Sequence, residues 1–259
     1  MAKRARDEAS ASRNFVATAC ASGADALGYA HRLLAYGQVD RVAGIAADAM
    51  LTHSALTFFD RMRALTSQLD EPLNAPRPFD ESRDGFVAGE GAAAVVLERD
   101  KPDTSARARL LGYGSSCDAH HQAAPDPTGV GIDRAVKSAL ADAALAAAEI
   151  VSINAHGTST PLDDAIESEA MDRLYPAHVP ATAVMSTTGH MTGASGLVEF
   201  IVGAHSASSG EVPATANTTT SITPRISAEP QQTVPGPVIS HSFGFGGQSA
   251  TLVVEGAVL

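Results

Sequence analysis

Hydrophobic and polar positions along this chain follow two rhythms. Short runs such as Asn14 to Ala19 (NFVATA), Arg41 to Ala47 (RVAGIAA) and Ile150 to Asn154 have the make-up of buried strands. Between them lie alanine-rich stretches with apolar residues three and four apart. The first predicts a helix from about Gly23 to Tyr36, with Ala26, Tyr29, Ala30 and Leu33 on one face and Gly37 as its stop. A second helix is predicted over Asp133 to Ala147, with Val136, Leu140, Ala143 and Ala147 at helical spacing. A third opens at Pro161 with Leu162, Ile166 and Ala170 inward, and a fourth spans Gly193 to Ser208. Gly91 to Arg99 and Arg107 to Gly114 read as an antiparallel pair across the Lys101–Pro102–Asp103 turn, and Ala181 to Met185 as a further strand. Residues 66–84 and 213–237, rich in proline and polar side chains, read as loops. The chain closes with strands Val238–Ser240 and Ala250–Glu255, joined by the turn SFGFGGQ. This alternation predicts a layered α/β fold.

Composition narrows the classes. The 259 residues are 44% hydrophobic and 18% charged, the balance of a soluble globular protein. No run approaches the roughly 18–20 apolar residues of a membrane helix. The polar opening residues lack the apolar core of a secretory signal, and two cysteines make no disulfide framework, so a cytoplasmic location is expected. Eighteen basic against 29 acidic residues give a net charge of −11, without a basic cluster, which argues against nucleic-acid binding.

Three residues stand where chemistry is done. Cys20, in TACASG, sits between a predicted strand and a predicted helix, where free N–H groups and the helix dipole lower a thiol pKa. A small buried hydrophobe is the competing reading. Cys117 has no such setting and reads as structural. His156, in AHGTSTP, and His190, in TTGHMTGASG, both fall in strand-to-helix loops, where open α/β sheets bind ligands. Each imidazole can bond an oxygen or exchange a proton near neutrality, or can simply satisfy backbone groups in a tight turn. The adjacent pair His120–His121 is read as loop structure, and no metal site is expected. Phe243 and Phe245, among the glycines of SFGFGGQ, are core plugs or a movable wall of a pocket.

Cys20 in TACASG, His156 in HGTSTP and His190 in GHMTGASG, in that order, resemble the β-ketoacyl-acyl carrier protein synthases, or ketosynthases, of the thiolase-like superfamily. PFDESRDGFVAGEGAAAVVLE and SFGFGGQSATLVVE are similar to that family's central and C-terminal signatures. The resemblance implies a layered αβαβα fold of two similar halves and a dimer paired across the strand before the nucleophile. It divides the chain into a polar segment over 1–13, the remainder of a first half over 14–106, and a second half over 107–259. It also implies that Cys20 takes an acyl group from a carrier-protein thioester. His156 and His190 then support decarboxylation of a malonyl-type extender and its attack on the acyl-cysteine. Backbone N–H groups of Cys20 and Phe245 form the oxyanion hole. Thr158, Thr160, Phe243, Phe245 and Gly246 correspond to the substrate side of the site, with the acyl group carried on phosphopantetheine and no cofactor bound. Arg63, with Arg61 beside it, corresponds to the surface that docks an acidic acyl carrier protein.

The chain departs from the family in three places. Met185 stands where the family has a lysine, the usual partner of the glutamate matching Glu167; an unpaired buried carboxylate there is costly. The turn reads GGQS where GGTN is usual. The portion that the family places before the nucleophile strand has no counterpart here, so the first half of the fold is incomplete. The resemblance therefore points to a condensing enzyme of fatty-acid or polyketide assembly completed by a ketosynthase-like partner chain or by a homo- or heterodimer. The alternatives are a non-catalytic subunit of the chain-length-factor or scaffold kind, an acyltransferase without decarboxylation, and a remnant with no function of its own.

Overall fold

The structure, a computed structural model, describes residues 12–100 and 106–257. Asn14 to Ala19 is not a strand: it is irregular up to an isolated bridge between Thr18 and Cys20, and Phe15 is 96% exposed. A strand needs a neighbour to take its ladder hydrogen bonds, and no described strand runs beside this one.

Helix α1 (Ser22–Ala35) buries Ala24, Leu27, Ala30 and Leu34, and Tyr29 is 43% exposed. The buried face is one position round from the predicted one because close approach, not apolar bulk, decides it. A Cβ on Gly23 would lie 2.8 Å from the Leu197 nitrogen. Gly37 takes the left-handed conformation expected of the stop, with φ of +67°. Strand β1 (Arg41–Ala49) leads to α2 (His53–Arg61), a helix the apolar pattern did not announce. Its signal is Thr52, whose hydroxyl accepts the Ala55 N–H at 3.3 Å as an N-cap.

Strand β2 (Glu90–Glu98) pairs antiparallel with β1 along its whole length. The expected partner, β3 (Ala108–Cys117), lies in a different sheet, and the turn Lys101–Pro102–Asp103 falls outside the described residues. Alternation tells which face of a strand is buried; tertiary packing chooses its neighbour.

The second half runs α3 (Val130–Asp142), β4 (Ser152–Asn154), α4 (Pro161–Leu174), β5 (Ala181–Thr182), α5 (Met185–Thr188), α6 (Ser195–Ser209), β6 (Glu211–Val212), β7 (Gln231–Gln232), β8 (Val238–Gly244) and β9 (Gln248–Gly256). Three expectations need correction. Helix α3 stops at Asp142 because Ala144 turns left-handed, φ +53°, so Ala147 belongs to a separate 3₁₀ turn. Met185 opens α5 and is not in a strand. Leu162 is 47% exposed, because first-turn side chains lean back past the helix start.

Five strands form one mixed sheet in the order β3-β9-β8-β4-β5. One face packs on α3 and α4 through Val136, Ile153, Met171, Ile239 and Val253. The other packs on α6, which crosses α1 in a central layer built on Leu27, Tyr113, Leu197, Phe200 and Leu252. Below that layer lies the two-stranded β1–β2 sheet, which buries Gly44 and Ala46 upward and leaves Ile45 at 67% and Val96 at 65% exposure. Among the described residues no helix is long and apolar enough to cross a membrane.

Candidate active site

The site forms where Cys20, ahead of α1, meets the loops that follow β4 and β5. Cys20 follows Ala19, which holds a strained φ of +51°, and precedes α1; His190 stands in the loop between β5 and α6. A ladder of hydrogen bonds fixes this loop against the first half: His190 N–H to Val87 O at 2.7 Å and Gly89 N–H to His190 O at 2.9 Å. Cys20 Sγ then lies 3.0 Å from His190 Nε2. The His156 ring, on the loop after β4, stands edge-on to His190 at 5.4 Å between centroids. All three side chains are buried. The three residues picked from the sequence therefore form one cluster.

Burial governs their protonation. It pushes the Cys20 thiol up to about 12, reinforced by the charge of Asp163, while a hydrogen bond from the Phe245 backbone pulls the other way. The sequence-based expectation of a lowered thiol pKa is thus not met: burial raises it. Burial also brings His190 down to about 4, and holds His156 well below the ordinary imidazole range with help from its neighbours His190 and His241. At neutral pH the site holds a thiol facing a neutral imidazole. That pair can pass the cysteine proton to His190 Nε2 as sulfur attacks, and the protonated His190 and the neutral His156 can then donate N–H bonds to an oxyanion.

The wall of the site is the β8–β9 hairpin. SFGFGGQ is not one long flexible turn: Phe243, Gly244 and Gln248 belong to strands, and the turn is Phe245 to Gly247, with Gly246 and Gly247 left-handed. A Cβ on Gly244 would come within 2.8 Å of Thr18 O and 3.0 Å of Cys20 N, so glycine lets the hairpin rest on the cysteine turn. Phe243 stands edge-on to His156, and Phe245 stacks on Phe59 of α2. Cys20, Met50, Phe59, Thr192, Gly193 and Phe245 line an open cavity of about 440 Å³.

Two family models match the chain: Beta-ketoacyl synthase, N-terminal domain, over residues 9–103, and Beta-ketoacyl synthase, C-terminal domain, over residues 107–219. The chain belongs to the β-ketoacyl synthase family. A 3-oxoacyl-(acyl-carrier-protein) synthase 2 of Coxiella burnetii is 36% identical to it over 254 residues, covering 93% of this chain and 61% of that protein. A type II polyketide synthase ketosynthase, solved with its acyl-carrier protein and bound to the hexaketide, superposes with a TM-score of 0.91 at 28% identity, over 99% of this chain and 66% of the other. The ishigamide ketosynthase/chain length factor gives 0.85 at 32% identity, over 95% and 61%. This β-ketoacyl synthase chain thus spans about 61% of the length of the curated relative and has the layered fold of solved ketosynthases.

The remaining residues singled out in the sequence fall around the cluster. Thr158 and Thr160 bond each other at 3.0 Å, and Thr160 donates to Asp163. Gly246, at the tip of the turn, has open space beside it and donates its N–H to Gln122 O. Arg61 and Arg63 are exposed at the end of α2, Arg63 in a left-handed conformation. Met185 is buried at 2% exposure. Glu167 accepts the backbone N–H groups of His156 and Gly157, each at 2.9 Å. Its side-chain partner is His241, whose Nδ1 lies 3.0 Å away. Sequence reasoning missed His241, Phe59 and Phe86, whose ring stands edge-on to His190 at 5.2 Å; His241 sits inside a strand with no loop or spacing signal, and only a fold shows what it faces. Cys117, read as structural, is exposed, and its thiol donates to Gly246 O at 3.3 Å. The loop reading of His120–His121 fits the two backbone N–H bonds that His121 Nδ1 accepts, and no metal-holding cluster occurs among the described residues.

Proposed function

We propose that this chain performs acyl transfer followed by decarboxylative condensation on carrier-bound thioesters, in fatty-acid or polyketide assembly. The observation that carries the reading is the 3.0 Å contact between Cys20 Sγ and His190 Nε2, with His156 beside them. In the first step Cys20 attacks the carrier thioester, its proton passes to His190 Nε2, and the carrier leaves as a thiolate that takes a proton from solvent. In the second, the malonyl carboxyl departs as CO₂ and the enolate oxygen is held by N–H groups of His156 and the protonated His190. The enolate carbon attacks the acyl-cysteine, and Cys20 leaves as a thiolate that recovers its proton from His190. The Cys20 and Phe245 N–H groups stabilise the oxyanion of each tetrahedral intermediate. Thr158 and Thr160 bond the phosphopantetheine arm, Phe245 gates the cavity, and Arg61 and Arg63 meet the acidic carrier protein.

The partner is a ketosynthase-like chain, a second copy or a relative, placed over the apolar β1–β2 face that carries Ile45 and Val96. We place the division between the two halves of the fold at about residue 106. Met185 supplies no cation to Glu167; His241 does the bonding there, which keeps the carboxylate satisfied and supports the condensing reading over a non-catalytic subunit.

The test is incubation of the purified chain with an acyl carrier thioester, followed by intact mass and assay of labelled CO₂ from a malonyl carrier. The expected result is an acyl adduct that Cys20→Ala abolishes, and CO₂ release that depends on His156. No adduct on Cys20 overturns the reading; an adduct without CO₂ release leaves acyl transfer alone.

A further inference from the structure

Glu167 is 1% exposed, on the inner side of α4, and both its oxygens are engaged. Oε2 accepts the Gly157 N–H. Oε1 accepts the His156 N–H and faces His241 Nδ1 at 3.0 Å. On the far side of that imidazole, Nε2 lies 2.9 Å from the hydroxyl of Tyr175, just after α4. His241 is fully buried and Tyr175 is 4% exposed.

The partners assign the tautomer. An oxygen that already accepts one N–H needs a donor, so Nδ1 carries the proton, and Nε2 accepts from the Tyr175 hydroxyl. The result is a continuous chain of donated bonds: Tyr175 to His241, His241 to Glu167, and the His156 and Gly157 backbone to Glu167. It joins β8 and α4 to the loop that carries His156. Phe243, two residues along β8, packs its ring against both imidazoles at 5.5 Å.

We propose that His241 is a positioning residue for His156. It holds the Glu167 carboxylate in the orientation that receives the His156 and Gly157 N–H groups together, and Tyr175 fixes the imidazole from behind. The inference rests on the reading above in assigning His156 to the decarboxylation step. It adds that the alignment of His156 is set by a histidine on another strand.

Three substitutions separate the two contacts. The amide of His241→Asn reaches the Nδ1 position and still donates to Glu167. The amide of His241→Gln reaches the Nε2 position and keeps only Tyr175, while His241→Ala keeps neither. With the acyl form of each variant, CO₂ release from a malonyl carrier should fall at least about tenfold for His241→Gln and His241→Ala, and stay within about threefold of the parent for His241→Asn. Acylation of Cys20 should stay within about twofold in all three. A purely structural role would instead rank both steps by melting temperature, with Asn and Gln alike, and that result overturns the proposal.

If the parent chain takes no acyl group, the reading of function fails while the positioning claim is still decided by NMR. In the ¹⁵N-labelled chain, the His156 and Gly157 amide protons should move upfield in His241→Gln and hold their place in His241→Asn. Amide shifts that stay put in both, or move equally in both, overturn it. Should His241→Ala not fold, the Asn and Gln pair decides alone.

Discussion

The same run of elements occurs twice in this molecule, in different company. In the second half, β5 leads through His190 into α6, then β8 and β9. In the first, residues 14–19, which form no strand, lead through Cys20 into α1, then β1 and β2. The second copy is flanked by β3 and β4, so β8 and β9 are central strands of a sheet with helices on both faces. The first has no such flanking strands among the described residues, so β1 and β2 each keep an open edge and share one open face. Local sequence places a reactive residue at a turn in both cases. What differs is how many neighbours hold that turn in place. Cys20 borrows rigidity across the molecule, from His190, from the Val87–Gly89 segment and from the hairpin at Gly244.

The sharpest test of that contrast is a core truncation in the five-stranded sheet. Ile239, fully buried on β8 between β9 and β4, should cost about 2–5 kcal/mol when changed to alanine. Urea unfolding of Ile239→Ala measures it. A loss below about 1 kcal/mol would mean that the five-stranded sheet is no better packed than the small one, and the comparison fails.

The two turns should also limit stability from opposite ends of the pH scale. Burial holds His190 at about 4, below its ordinary 6.5. Between those values the unfolded chain binds a proton that the folded chain refuses, so stability falls as pH drops, by about 2 kcal/mol at pH 5 from His190. His156 acts in the same direction. Cys20 is raised from 9.0 to about 12, so between those values the unfolded chain loses a proton that the folded chain keeps, and stability falls as pH rises. Asp164, raised by burial to about 8, and Glu199, raised likewise, oppose the acid loss, so the test is the difference from the parent: the melting temperature of His190→Gln should fall less with acid, and that of Cys20→Ser less with alkali. An acid limb unchanged in His190→Gln would place the titrating group elsewhere.

How much of this was legible in the sequence depends on range. Gly37, Pro161 and Ile166 act within a few residues of themselves, and their roles could be read directly. The order Cys20, His156, His190 carried the resemblance, and with it the fold. The partner of β2 could not be read, because Val95 and Val96 alternate identically whether the neighbour is β1 or β3. Nor could the thiol of Cys20, whose protonation depends on burial by segments far along the chain. His241 was hidden for the same reason: its meaning lies in Glu167 and Tyr175, 74 and 66 residues away.

The smallest expected effect probes the open face itself. Ile45 and Val96 are apolar by sequence but stand at 67% and 65% exposure, on strands that bury their other face against α1 and α6. Both side chains are largely exposed, so Ile45→Lys and Val96→Lys should each change the unfolding free energy of the isolated chain by less than about 0.5 kcal/mol. Sedimentation at rising concentration supplies the second half of the test. If the parent chain self-associates and the lysine variants do not, the face is covered by another copy in solution, and the cost of the substitution grows with concentration. If the variants lose more than about 1 kcal/mol at low concentration, where the chain is monomeric, then Ile45 and Val96 pack on something within the chain itself. The contrast between a closed sheet and an open one would then have to be withdrawn.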